Sequence, residues 1–94
     1  MNVRVDYTGQ VRSAAGCAGV ELQLSTGATL GDLFQRLVSE GPPALRPHLV
    51  MDDGRMQPTL IVVVDGQAVA GAARETAPLR DGATIVLLPP VAGG

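Results

Sequence analysis

The sequence predicts an α+β domain with four to five strands and one main helix packed on one face of the sheet. Three observations predict it. Residues 3–7 and 20–24 alternate apolar and polar side chains, which is typical of half-buried strands. Residues 29–41 contain an apolar stripe with helical spacing, and residues 59–88 contain two dense apolar runs and a hairpin signal. The predicted order is β-β-α-β-β-β, without repeats or a second domain.

The first two strands are predicted from alternation with a period of two. The apolar positions are Val3, Val5 and Tyr7 in the first segment and Val20, Leu22 and Leu24 in the second. Between them, a Gly- and Ala-bearing loop is expected from about Gly9 to Gly19. The two strands are therefore expected to form a hairpin with a long connection.

The main helix has a clear beginning and end. Thr29 is a candidate N-cap, and Asp32 three residues later completes a shortened capping box and complements the helix dipole. The apolar stripe consists of Leu30, Leu33, Phe34, Leu37 and Val38. Gly41 fits the C′ position, and the prolines at 42–43 prevent continuation. This helix is expected to cover one face of the sheet.

Irregular structure is expected over residues 42–58, followed by three strands. A β-branched run covers Thr59–Val64, and Asp65-Gly66 is a strong two-residue turn signal before residues 67–69. A tight turn at 79–82 leads into the last strand, Ala83–Leu88.

Both faces of these late strands carry apolar side chains, because residues 60–64 and 85–88 are apolar at consecutive positions. One interpretation is an exposed apolar face that docks partner proteins. The residues assigned to it are Leu60, Val62, Val64, Val86 and Leu88. The alternative is that the segment Gly41–Pro58 folds over this face and buries it.

The composition excludes several classes of function. Apolar residues make up 46% of the chain, but no run approaches the length of a membrane span. A strand pattern begins at Met1, so no signal peptide is expected, and the single cysteine fits a reducing cytoplasm. The net charge is −2 with one Tyr, one Phe and no Trp, which argues against nucleic-acid binding. The expected location is the cytoplasm.

Catalytic and metal-binding patterns are missing from the sequence. His48 is the single histidine and Cys17 the single cysteine, too few parts for a metal site or a nucleophilic triad. No phosphate-binding glycine loop is present. The chain is therefore predicted not to be an enzyme, with no metal site and no bound cofactor. All seven basic residues are arginine, so apart from the Met1 amine there is no amine on which isopeptide chains could grow.

The last six residues, Pro89-Pro90-Val91-Ala92-Gly93-Gly94, carry the strongest functional signal. Two prolines fix φ and hold the segment extended, and glycine has no Cβ to obstruct close approach. We expect a domain over residues 1–88 and an extended, flexible tail over 89–94 that inserts into the active sites of partners. A terminal carboxylate is a poor electrophile, so another protein would adenylate it. Sulfide could then displace AMP and leave a thiocarboxylate on Gly94.

The element order, the Leu79-Arg80-Asp81-Gly82 turn and the Pro-Pro-Val-Ala-Gly-Gly terminus together resemble the ubiquitin-like sulfur carriers. This is the family of the molybdopterin synthase small subunit and the thiamine-pathway sulfur carrier. The resemblance implies a β-grasp fold with a mixed sheet and modification of Gly94. It also implies an adenylating partner that resembles ubiquitin-activating enzymes and consumes ATP.

The pathway stays open at this point. The prolines before Gly-Gly resemble molybdopterin synthase small subunits, whereas residues 48–55 and 25–31 resemble carriers for cysteine synthesis or secondary metabolism. The implied sulfur acceptor is a thiazole-synthase-like or cysteine-synthase-like enzyme, or the molybdopterin synthase large subunit. A protein modifier joined through Gly94 to lysines of other proteins is the main alternative. A plain interaction module is the third possibility.

Overall fold

The computed structural model describes residues 1–90; residues 91–94 lie outside the described part. The strands are β1 (Asn2–Tyr7), β2 (Gly19–Gln23), β3 (Ile61–Val64), β4 (Gln67–Val69) and β5 (Thr84–Leu88). The helices are α1 (Gly9–Ala15), α2 (Leu30–Glu40), α3 (Arg46–Leu49) and α4 (Ala73–Thr76), with a 3-10 turn at Pro43–Leu45 before α3. The expected order of strands and main helix is confirmed, and three short helices are added to it.

The five strands form one mixed sheet in the order β2-β1-β5-β3-β4. The two strands nearest the chain ends, β1 and β5, lie side by side and are parallel, whereas every other neighbouring pair is antiparallel. The predicted hairpins β1–β2 and β3–β4 are both present. In the second, Asp65 and Gly66 have φ values of 50° and 85°, as a two-residue turn of this kind requires.

Helix α2 begins as the sequence predicts. The Asp32 N–H donates to the Thr29 hydroxyl oxygen at 3.3 Å, and the Thr29 N–H donates to an Asp32 carboxylate oxygen at 2.9 Å. This reciprocal pair satisfies two backbone donors that a helix N-terminus otherwise leaves free. The stripe along α2 is also confirmed, since Leu30, Leu33, Phe34 and Leu37 are buried and Val38 packs against the core.

Gly41 ends the helix differently from the prediction. Its φ of −84° and ψ of 174° are extended, so it does not adopt the left-handed C′ conformation. A β-carbon at this position would lie 2.6 Å from the Leu37 carbonyl oxygen, which accepts a hydrogen bond from the Gly41 N–H. Glycine is therefore favoured here by close approach of the backbone rather than by a positive φ.

The prediction of a loop between β1 and β2 is wrong in part, because this segment contains the helix α1. Val11 is buried to 1% exposure and anchors α1 on the core, while Gly16 ends the helix in the left-handed region with φ of 76°. The helix was missed because Val11 is its single large apolar residue, and the two small alanines that follow at helical spacing give only a weak periodic signal. A glycine after two alanines was the available signal for a helix end.

The segment 42–58 is more ordered than predicted, and it completes the core. It contains the 3-10 turn, α3 and an isolated bridge between Val50 and Met56. Its buried side chains Leu45, Leu49, Val50 and Met56 belong to the same cluster as α1, α2 and the inner face of the sheet. Several helices therefore cover the inner face of the sheet, whereas the sequence predicted that one helix would cover it.

Replacement of a core leucine of α2 tests this packing. Leu33 is fully buried, so Leu33→Ala is expected to lower the free energy of unfolding by about 3 kcal/mol through lost burial and an unfilled cavity. Gln35→Ala is the matched control, because Gln35 lies on the exposed side of the same helix. It should change stability by less than about 0.5 kcal/mol. Equal effects of the two variants in urea denaturation would contradict the assigned face.

Candidate functional site

The C-terminal segment begins in the centre of the sheet. Pro89, half-buried, and Pro90, exposed, follow β5 directly. The remaining predicted tail residues, Val91, Ala92, Gly93 and Gly94, lie outside the described residues, so insertion of the tail and modification of Gly94 stay predictions. What the structure gives is the position from which this segment departs, which is the end of a strand held by β1 on one side and β3 on the other.

The five residues assigned to a docking face do not share one face. Leu60 and Val62 are buried, at 4% and 1% exposure, and the register places Val64 opposite Ile85 on the inner face. Val86 and Leu88 alternate with the buried Ile85 and Leu87 and therefore lie on the outer face. The prediction of a single surface is corrected on this point, because consecutive apolar residues in a strand point to opposite faces.

The outer face carries an apolar patch of four side chains, here called the outer patch. Ile61 lies opposite Leu88 and Val63 opposite Val86, so two cross-strand pairs adjoin each other. Ile61 is 37% exposed and the other three are half-buried. Sequence reasoning missed Ile61 and Val63. Counting alternate positions back from the Asp65-Gly66 turn would have separated them from Val62 and Val64.

The segment 41–58 does not cover the outer patch. All of its buried side chains belong to the core on the helix side of the sheet, whereas none of the four patch residues belongs to that cluster or packs against it. Within residues 1–90 the patch is therefore open to solvent along one side of the last strand. Leu88, one of the four patch residues, directly precedes Pro89 in the chain.

A polar region adjoins the outer patch on the same face. Arg4 bridges Asp6 at 2.8 Å and Glu21 at 3.5 Å, and the register places Asp6 beside Val86. These exposed pairs contribute little to stability. They divide the outer face into a charged half on β1 and β2 and an apolar half on β3 and β5.

Asp65 joins the two strands that carry the outer patch. One carboxylate oxygen accepts from the Thr84 N–H at 3.0 Å and the other accepts from the Arg80 guanidinium at 3.2 Å. The Thr84 hydrogen bond, followed by that of Arg80, lowers the pKa of Asp65 below its ordinary value. Asp65 also has a positive φ, which Asp and Asn tolerate better than most residues.

Among residues 1–90, no group of three or more His, Cys, Asp or Glu side chains could hold a metal ion. Cys17 is free and exposed. Burial raises the pKa of Tyr7 to about 12, so this phenol stays protonated at neutral pH. No helix in this part of the chain is both long and apolar enough to cross a bilayer.

The described fold is a mixed five-stranded sheet packed against a capped helix, and in the sequence its last strand is followed by a Gly-Gly terminus. The sequence matches the ThiS family over residues 5–94. The chain belongs to the ThiS family. The resemblance to ubiquitin-like sulfur carriers is therefore confirmed at the level of the family, whose members are small carrier proteins. Comparison of this ThiS-family chain with curated proteins gives no match.

Solved structures place this ThiS-family member in the β-grasp, ubiquitin-like fold. SAMP1 from Haloferax volcanii superposes with a TM-score of 0.87 at 28% identity, with 100% of both chains covered. A chain of the BexX/CysO complex from Amycolatopsis orientalis gives 0.75 at 26% identity, covering 98% of this chain and 99% of that one. A putative molybdopterin converting factor subunit 1 from Pyrococcus furiosus gives 0.75 at 23% identity, covering 97% and 99%, and shows the shared fold.

Replacement of Asp65 in this ThiS-family domain should make stability less dependent on pH. A carboxyl group with a lowered folded-state pKa stabilises the fold above the unfolded-state pKa of about 4 and loses that contribution as pH falls through the folded-state value. Asp65→Asn keeps an acceptor for Thr84 but cannot titrate. The difference in unfolding free energy between the native protein and this variant should therefore shrink as pH falls from 6 to 3.

Arg80→Gln is the matched control for this titration. It removes the ion pair but keeps the Thr84 hydrogen bond, which is the larger cause of the lowered pKa of Asp65. Most of the pH dependence should therefore survive in Arg80→Gln. A native-minus-Asp65→Asn difference that stays constant between pH 6 and pH 3 would show that the Asp65 carboxylate has no such role.

Proposed function

We propose that this protein is a sulfur carrier whose terminal glycine, Gly94, is adenylated and then converted to a thiocarboxylate. Membership of the ThiS family is the single observation that carries the proposal. The Gly-Gly terminus, the two prolines before it and the departure of this segment from the central strand support it. The protein acts as a co-substrate and not as the catalyst.

The chemistry requires two steps on partner enzymes. A carboxylate oxygen of Gly94 attacks the α-phosphorus of ATP, releasing pyrophosphate and forming an acyl adenylate. A sulfide equivalent then attacks the acyl carbon, AMP leaves, and the thiocarboxylate remains. The activating enzyme binds the ATP, so the carrier needs no cofactor of its own. Gly93 gives clearance for the reacting carbonyl, because a glycine carries no side chain.

The outer patch is the proposed docking surface for the activating enzyme. An apolar cluster on a sheet face marks a protein contact more often than an isolated apolar residue does. Leu88 places it next to the base of the reactive segment, so one partner can contact the patch and receive the terminus together. Because the same surface must release this enzyme before meeting a sulfur acceptor, each contact is expected to be of modest affinity.

The acceptor is proposed to be an enzyme of small-molecule biosynthesis. The resemblance of residues 25–31 and 48–55 to carriers for cysteine synthesis or secondary metabolism supports a thiazole-synthase-like or cysteine-synthase-like acceptor. The similarity to a chain of the BexX/CysO complex supports a carrier that docks on a partner protein. The molybdopterin synthase large subunit is the other proposed acceptor. Both fit a carrier that delivers sulfur through a slim terminus into a buried site.

A protein modifier is the second candidate, and the similarity to SAMP1 favours it, since SAMP1 is small archaeal modifier protein 1. Activation at Gly94 is common to both candidates, but the modifier transfers its acyl group to a lysine amine of another protein. Denaturing gels of extracts from the native host would show conjugates that disappear when Gly94 is deleted. Sulfur delivery without conjugates favours the carrier.

Deletion of Gly94 is expected to abolish sulfur transfer and leave the domain folded, because the core lies within residues 3–87. The measurement is intact mass with fragmentation after incubation with ATP, a sulfide source and the activating enzyme of the native host. The full chain should gain the mass of one oxygen-to-sulfur exchange at Gly94. Sulfur transfer by the truncated chain, with an unchanged melting temperature, would refute the proposal.

Substitution in the outer patch should weaken binding of the activating enzyme. Val86→Glu places a charge in the apolar cluster and is expected to reduce affinity about tenfold or more. Thr84→Glu is the matched control, because Thr84 is also half-buried on the outer face of β5 but lies beside Arg4 and outside the outer patch. Calorimetry that gives equal losses for both variants would exclude the outer patch as the contact.

A further inference from the structure

The turn between β1 and α1 contacts the place where the C-terminal segment leaves the sheet. The Leu87 carbonyl oxygen accepts two hydrogen bonds from Thr8, one from its backbone N–H at 3.2 Å and one from its hydroxyl at 3.1 Å. The backbone bond extends the parallel ladder between β1 and β5 by one step. The hydroxyl adds a second donor to the carbonyl two residues before Pro89.

Thr8 occupies the N-cap position of α1 but does not cap the helix. Its side chain accepts no hydrogen bond from the first turn, which is the usual reason for threonine at this position. The hydroxyl donates to the end of β5 instead. The helix therefore gives up a stabilising contact, and the base of the C-terminal segment gains one.

Gly9 lies directly against Pro89. Its φ is +51°, and a β-carbon built on it would lie 2.9 Å from Pro89 Cγ and 3.4 Å from Cδ. A side chain at position 9 would thus push against the proline ring, whereas glycine lets the ring sit on the backbone. Since proline fixes its own φ, a displacement of the Pro89 ring changes the direction of the chain that follows.

We infer that Thr8 and Gly9 are positioning residues that set the direction in which the C-terminal segment leaves the domain. Leu87 is fixed by the two donors of Thr8, Pro89 is seated on Gly9, and both contacts precede the segment that must reach the active site of a partner. The consequence for catalysis rests on the proposed function. The outer patch would determine whether the partner binds, and the Thr8–Gly9 turn whether the bound terminus is aligned.

A pair of glycine variants separates misalignment of the C-terminal segment from backbone strain in the turn. Gly9 and Gly16 lie at opposite ends of α1 and both have positive φ, but a β-carbon at Gly16 would have nothing within 4 Å. Gly9→Ala and Gly16→Ala should therefore share the backbone strain, which lowers the melting temperature by about 5 °C, and Gly9→Ala should lose further stability through its contact with Pro89. The contact with Pro89 is disturbed in Gly9→Ala alone. Thr8→Val, which keeps the shape and removes the hydroxyl, is a milder second variant, and Thr8→Ser is its rescue.

Two measurements follow for these variants. In adenylation by the activating enzyme, Gly9→Ala should lower kcat about tenfold with little change in KM, because docking is intact and the terminus is misaligned. Gly16→Ala should keep kcat within about twofold. Thr8→Val should lower kcat and Thr8→Ser restore it. In amide NMR spectra, residues 91–94 should shift in Gly9→Ala and keep their native positions in Gly16→Ala.

Equal kcat values and equal tail spectra for Gly9→Ala and Gly16→Ala would overturn the inference. If Gly9→Ala does not fold, the Thr8→Val and Thr8→Ser pair decides by the same readouts. If the native protein is not adenylated, the proposed function fails, and the NMR comparison still tests the positioning role. Unchanged tail resonances in both Gly9→Ala and Thr8→Val would then refute it.

Discussion

The parallel pairing of β1 with β5 is the contact on which the rest of the structure depends. It joins the first and last strands of the described chain, so β5 lies in the centre of the sheet and β3–β4 is added beyond it. A parallel pair requires a long connection, and here the connection is most of the domain. The same pairing places the start of the C-terminal segment at the end of the central strand, where it contacts the Thr8–Gly9 turn.

A one-sided core follows from this arrangement. The inner face of the sheet, α1, α2 and the segment around α3 form a single cluster of buried side chains, and the outer face has no covering element within residues 1–90. That face is divided into a charged half around Arg4 and an apolar half formed by the outer patch. The proposed function needs an accessible surface beside the base of the C-terminal segment, and the outer patch adjoins Pro89 there. The apolar residues of β3 and β5 thus alternate between the core and the outer patch.

The local features were predictable because each depends on neighbouring residues. The capping box of Thr29 and Asp32, the stripe of α2 and the Asp65-Gly66 turn are encoded within a few positions, and all are present. The features missed lacked such a signal. Helix α1 has one buried residue, and the close approach at Gly41 depends on the Leu37 carbonyl and the packing of the next turn. The five docking residues were assigned from hydrophobicity alone, without the period of two that places Val62 and Val64 on the opposite face from Ile61 and Val63.

The sequence by itself determined the class of fold, the order of the strands and main helix, and membership of a carrier family. It also determined the candidate for the modified residue, Gly94. The fold class and element order follow from short-range patterns, since capping, alternation and turn chemistry act between residues close in the chain. The family follows instead from the similarity of the sequence to its members over residues 5–94. The tertiary structure alone decided which apolar residues face solvent, what covers the inner face and how Thr8 and Gly9 contact Leu87 and Pro89. Those contacts join residues almost eighty positions apart. Their formation depends on the register of β1 against β5, which no local pattern specifies.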